Sequence, residues 1–163
     1  MDTLAAQVGV ALKAHSMMLV TAESCTGGGV AQAVTDIAGS SAWFERGFVT
    51  YTNQAKVEML GVRQSTLDAY GAVSEMTVRE MAAGAIAHSH AHIALAVSGI
   101  AGPGGGAPDK PVGTVWFAWA FRHGEVVAHR YQLTGDRTSV RSQSVQLALQ
   151  GVLNLLKNQS KTA

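Results

Sequence analysis

The segment Thr21-Ala22-Glu23-Ser24-Cys25-Thr26-Gly27-Gly28-Gly29 lies between an apolar run, Met17-Met18-Leu19-Val20, and a helical pattern, Val30-Ala31-Gln32-Ala33-Val34. A buried strand that enters a helix through a hydroxyl- and glycine-rich turn is the repeating unit of open α/β sheets, whose ligands gather at such turns. The turn carries small nucleophilic side chains. The helix after it presents backbone N–H groups that helical bonding leaves unpaired. Its spacing is neither the GxxxxGK[ST] of a P-loop nor the G-x-S-x-G of a hydrolase nucleophile elbow.

The rest of the chain continues the alternation. Apolar residues Leu4, Ala5, Val8, Val10, Ala11 and Leu12 predict a helix over 2–15. A strand over 17–22 follows, then a helix over 28–37 closed by Gly39. Phe48-Val49-Thr50-Tyr51-Thr52 is β-branched and aromatic and reads as a strand; Asn53 then caps a short helix over 54–60 that ends at Gly61. Ser74 caps a longer helix through Ala87. Ile93-Ala94-Leu95-Ala96-Val97-Ser98 is continuously apolar, the pattern of a central strand covered on both faces, and it runs into a second glycine-rich loop, Gly99 to Gly106. Strands over 112–121 and 125–133 are joined by Arg122-His123-Gly124, so that pair is antiparallel. Asp136 caps a final helix to about Lys157, leaving a polar tail over 158–163. The order α-β-α-β-α-α-β-β-β-α predicts one domain over 1–163. Its class is α/β, a three-layer α/β/α sandwich with a mixed, mostly parallel sheet and an antiparallel pair near the C-terminus.

Composition removes several classes of function. With 163 residues the chain can bury a sizeable core, and 47% hydrophobic against 14% charged residues argues against disorder. A net charge of +1 gives no electrostatic reason to expect nucleic acid or an anionic membrane as a partner. No apolar run approaches the roughly 20 residues of a membrane span. The start, Met1-Asp2-Thr3-Leu4, lacks the basic region of a signal peptide, and the single cysteine, Cys25, fits a reducing cytoplasm. The weakly charged, apolar composition leads to an expectation of self-association, as a dimer. His88, His90 and His92 alternate, but no second cluster of ligating residues accompanies them, so no metal is expected.

Several side chains could carry chemistry. Ser24 is either a helix cap or a nucleophile. Cys25 beside it is intrinsically more nucleophilic, but no histidine is evidently paired with it, and a small buried thiol is the alternative. A serine needs a base. His15 at a helix end, His123 in a hairpin and His129 on a peripheral strand are poorly placed for that. Lys56, one turn into the helix that follows 48–52, falls near the same sheet end as Ser24; it is a solvated charge, or a base if desolvation lowers its pKa. Tyr51 could relay a proton or simply pack, and Ser98 could add a third hydroxyl or close the strand with a hydrogen bond. Glu23, as a strand neighbour of Ser24, faces the other way. Arg137 and Arg141 share one face of the last helix, as an anion site or a surface pair. Trp116, Phe117 and Trp119 read mostly as core.

Seven stretches taken together narrow these choices. They are Thr21 to Gly28, Gly39-Ser40-Ser41, Gly47 to Tyr51, Asn53 with Lys56, Gly71-Ala72-Val73-Ser74, Ser98-Gly99-Ile100-Ala101-Gly102-Pro103 and Pro111 to Val115. In this order and spacing the chain resembles the CinA C-terminal domain family from about Leu4 to the last helix, without the additional N-terminal domain of the larger members. The resemblance implies hydrolysis of the carboxamide of nicotinamide mononucleotide to nicotinate mononucleotide and ammonia, with no metal or organic cofactor. It implies a nucleophile at Ser24, a lysine base at Lys56, an assisting Tyr51 and a hydroxyl at Ser98. It also implies a functional arginine at 137 or 141. For binding, the expected contributors are backbone N–H groups around Thr26, Gly27 and Gly28 for the oxyanion, with Gly99, Gly102, Arg137 and Arg141 for the nucleotide. Gly104 departs from relatives that carry an acid there. The alternatives are a non-catalytic nucleotide-binding module, or a serine–lysine amidase for another small amide.

Overall fold

A computed structural model describes residues 3–162. The expected helix start at Asp2 lies outside them. Eleven elements beyond a short 3-10 turn follow in chain order: α1 (Leu4–Ala14), β1 (Leu19–Glu23), α2 (Gly29–Thr35), β2 (Phe44–Val49), α3 (Asn53–Leu60), α4 (Gln64–Tyr70), α5 (Glu75–Ala87), β3 (Ile93–Gly99), β4 (Thr114–Phe121), β5 (Val126–Gln132) and α6 (Arg137–Thr162).

The strands form one sheet in the order β2-β1-β3-β4-β5. β1 pairs in parallel with β2 and β3, β4 is antiparallel to β3, and β5 is antiparallel to β4. Only β4 is therefore inverted, and the carboxyl ends of β1, β2, β3 and β5 point the same way. β3 is central, as its unbroken apolar run requires. Successive side chains of a strand face opposite sides. Ile93, Leu95 and Val97 of β3 accordingly join Phe117 and Trp119 under α1, α2 and α6, whereas Ala94, Ala96, Ala118 and Ala120 face the layer of α5 and its neighbours. That second face is paved with alanine, which lets α5 lie close to the sheet. This gives the mixed three-layer α/β/α arrangement expected from the element order.

Four expectations are corrected. β2 spans Phe44–Val49, not 48–52, and pairs Phe44 with Leu19 and Val49 with Glu23. β2 is an edge strand, where Glu45 and Arg46 can face water, so low strand propensity does not exclude them. α3 is capped by Thr52, whose hydroxyl accepts from Ala55 N–H at 3.0 Å, and not by Asn53. Gly39 does not close α2, which ends at Thr35; with φ 83° it opens the 3-10 turn over Ser40–Ala42. α6 continues to Thr162, so the expected polar tail is helical to that residue. The helix α4 was not foreseen, because its seven mostly polar residues carry no apolar period. Thr66 of α4 donates to the Glu80 carboxylate of α5, which ties the helix down through a tertiary contact. Among the described residues no helix is long and apolar enough to cross a membrane.

α5 meets α3 at Gly84, where an added Cβ would lie 1.9 Å from the Leu60 carbonyl oxygen. Backbone cannot yield as a flexible side chain does. Gly84→Ala is therefore expected to lower stability by about 2 kcal/mol or more, seen as a melting temperature lower by about 5 °C or more.

Candidate active site

A cleft of about 270 Å³ opens at the carboxyl ends of β1 and β3. Ser24, Cys25, Lys56 and Ser98 form its buried end, Ala72, Val73, Ile100 and Ala101 its apolar sides, and Gly102, Gly104 and Gly105 a stretch of bare backbone. Tyr51 and Arg137 stand at the mouth, with 56% of Tyr51 exposed.

Ser24 is the first residue beyond β1. Its N–H donates to Val97 O at 3.0 Å, so the sheet ladder holds its backbone. Lys56 arrives from α3, which Thr52 starts in the turn after β2. The lysine is only 1% exposed. Its Nζ lies 2.9 Å from Ser24 Oγ, 2.8 Å from Thr50 O and 3.3 Å from Tyr51 O. Among the described residues no carboxylate forms an ion pair with it. Burial favours the uncharged amine and pulls the Lys56 pKa from 10.5 down to about 8, against a small opposing pull from Cys25. Ser24 Oγ also donates to Tyr51 O, at 3.4 Å.

Cys25 differs from its neighbour. Burial pushes its thiol up to about 11, helped by the Glu23 carboxylate and opposed by nearby backbone N–H groups and Lys56. It is a neutral thiol in the cleft wall. The N-terminal end of α2 is occupied by Glu23, whose carboxylate accepts from Val30 N–H at 2.8 Å, Ala31 N–H at 3.0 Å and Thr26 Oγ1 at 2.6 Å. Glu23 is fully buried and faces away from Ser24, as strand alternation requires.

The two arginines separate. Arg137 donates to Gly102 O at 2.9 Å and to Tyr51 Oη at 3.0 Å, at the cleft mouth. Arg141 donates to Cys25 O at 3.1 Å and Thr26 O at 3.3 Å, behind the turn that follows Ser24. Of the residues singled out in the sequence, the structure brings Ser24, Lys56, Tyr51, Ser98, Gly99, Gly102 and Arg137 to one cleft; Thr26, Gly27, Gly28 and Arg141 do not line it. Thr26 is turned to Glu23, and Gly27 N–H is taken by Ser24 O at 3.0 Å. The apolar walls Ala72, Val73 and Ile100 were not picked out. Nor was the Thr50 carbonyl, since a backbone acceptor leaves no mark on residue identity. Among the described residues, no group of three or more His, Cys, Asp or Glu is placed to hold a metal ion.

The fold and cleft define a class: an α/β protein that keeps an alcohol and a desolvated amine in contact at the rim of a parallel strand pair. Comparison with known proteins narrows it. The CinA C-terminal domain family matches residues 1–156. The chain is 59% identical over 147 residues to the nicotinamide-nucleotide amidohydrolase PncC of Escherichia coli K12, covering 90% of this chain and 89% of that protein. It is 55% identical to the PncC of Enterobacter agglomerans, covering 95% of each. The crystal structure of the competence/damage inducible protein CihA from Agrobacterium tumefaciens superposes with a TM-score of 0.91 at 49% identity, over 93% of both chains. The chain belongs to the CinA C-terminal domain family.

At pH 8 a thiol near 11 is almost wholly protonated. Alkylation of Cys25 by iodoacetamide is expected to be roughly a hundredfold slower than that of a free cysteine, recovering in denaturant, with mass spectrometry as the readout.

Proposed function

We propose that the cleft hydrolyses the carboxamide of nicotinamide mononucleotide, releasing ammonia and nicotinate mononucleotide, with Ser24 as nucleophile and Lys56 as general base. The observation that carries this reading is the buried 2.9 Å contact between Lys56 Nζ and Ser24 Oγ. It is joined by the 52–59% identity of the chain to proteins named nicotinamide-nucleotide amidohydrolase.

A neutral amine has two hydrogens and one lone pair. With the hydrogens donated to Thr50 O and Tyr51 O, the lone pair faces Ser24 Oγ and accepts its proton. Lys56 takes that proton as Ser24 Oγ bonds to the carboxamide carbon. The new ammonium then has three oxygen neighbours, so the charge formed in the step is received by acceptors already in place. The lysine proton passes to the carboxamide nitrogen, directly or through Tyr51 or Ser98, the C–N bond breaks and ammonia leaves. Water, deprotonated by Lys56, then cleaves the nicotinoyl ester and restores Ser24. Of the backbone donors at this turn, that of Cys25 belongs to a residue lining the cleft and is offered to the oxyanion; Thr26, Gly27 and Gly28, the set expected from sequence, do not line it, and Gly27 N–H is taken by Ser24 O. The apolar walls take the pyridinium ring. Arg137, Gly99 and the bare backbone at Gly102–Gly105 take the ribose phosphate. The reading carries with it a cytoplasmic homodimer.

Ammonia release from nicotinamide mononucleotide by the purified protein is the direct test, run beside nicotinamide and the dinucleotide. Ser24→Ala and Lys56→Met are each expected to lower kcat by about a thousandfold or more; retained turnover in either removes its role. A quenched reaction should carry a nicotinoyl group on Ser24, and an adduct on Cys25 would reverse the assignment.

The base must be uncharged, and its folded pKa is lowered to about 8. Activity therefore rises with pH, tenfold per unit well below 8, and levels off above it. A pH profile of kcat/KM with no rising limb near 8 would reject the lysine as base.

A further inference from the structure

The turn after Ser24 is held from two sides by charged groups that do not line the cleft. From within, Glu23 binds the Thr26 hydroxyl and the first N–H groups of α2. From outside, Arg141 of α6 gives Nε–H to Cys25 O and Nη2–H to Thr26 O. Among the described residues no carboxylate lies within ion-pair distance of Arg141. A planar guanidinium that binds two successive carbonyls fixes both of their peptide planes, since its donors form a rigid fork. A trans peptide points its N–H opposite its C=O. Holding Cys25 O toward α6 therefore turns Thr26 N–H away from α6. Holding Thr26 O directs Gly27 N–H back to Ser24 O, the third point that closes the turn, at 3.0 Å. Gly27 sits at φ 59°, and a Cβ added there would lie 3.4 Å from Arg141 Nη2, so the fork lies beside a residue without a side chain.

We infer that Arg141 is a positioning residue. It sets the peptide planes that follow Cys25 and Thr26, and so holds Ser24 Oγ in register with Lys56 Nζ. Arg137 and Arg141 thereby divide the work that one face of α6 presents: Arg137 meets the nucleotide, and Arg141 never touches it. The inference rests on the amidohydrolase reading only for the substrate of the first assay below.

Arg141→Ala is expected to lower kcat for nicotinamide mononucleotide roughly ten- to a hundredfold, with KM within about twofold of wild type. Arg141→Lys, which keeps one donor and loses the fork, should recover part of kcat. In both variants the rising pH limb should stay near 8, because the surroundings of Lys56 are untouched. Arg137→Ala, run beside them, should raise KM instead. A tenfold rise in KM at unchanged kcat for Arg141→Ala would make Arg141 a phosphate ligand. Unchanged kcat with only a lower melting temperature would leave it a structural residue. Either result overturns the inference. Should Arg141→Ala not fold, wild-type kcat in Arg141→Lys overturns it equally. The burst of p-nitrophenolate from p-nitrophenyl acetate reads Ser24 acylation whatever the natural amide. It should slow by the same factor in Arg141→Ala, and an undiminished burst rate counts against the clamp. A wild type that bursts normally yet releases no ammonia from the mononucleotide would defeat the functional reading alone.

Discussion

A lysine withdrawn from water organises this molecule. Lys56 joins the turn after β1 and the turn after β2 to helix α3, through Ser24 Oγ, Thr50 O and Tyr51 O. A buried ammonium without a carboxylate partner is costly, and the protein relieves that cost by letting the amine lose its proton more easily. The same desolvation that strains the folded chain makes the amine easier to deprotonate. The acceptors around it are two carbonyls and a hydroxyl, with no carboxylate among them. A carboxylate there would have held the lysine charged and removed its lone pair.

Charged groups elsewhere at this rim act on the backbone. Glu23 and Arg141 shape the segment between Ser24 and Gly28 from opposite sides. Glu23 also bears on Cys25. It adds a negative charge near a thiol that burial already keeps protonated, while the serine beside it faces the amine. Two adjacent side chains of similar size thus acquire opposite chemistry from their surroundings.

Much of this was legible in the residues. The apolar continuity of 93–98 marked the central strand, the tight link at 122–124 marked the hairpin, and the place of Lys56 one turn into a helix marked it as a partner for Ser24. What was not legible depended on contacts distant in sequence. β2 holds Glu45 and Arg46 because an edge strand can, and α4 exists because Thr66 reaches Glu80. Helix-face spacing put Arg137 and Arg141 together, but it could not say that one would reach Tyr51 and the other the back of the turn that follows Ser24. The walls formed by Ala72 and Val73 arise from a connection whose residues carry no chemistry of their own.

The single inverted strand has a topological consequence. Because β4 runs against its neighbours, it carries the chain away from the rim where Ser24 and Lys56 meet, and β5 carries it back. α6 therefore begins at that rim, and the C-terminal third of the polypeptide arrives there with two guanidinium groups in its first turns. Had the chain entered its last helix directly from β4, both arginines would start at the opposite edge of the sheet. The hairpin is a return path, and through it Arg137, more than a hundred positions downstream of the serine, comes to border the same pocket.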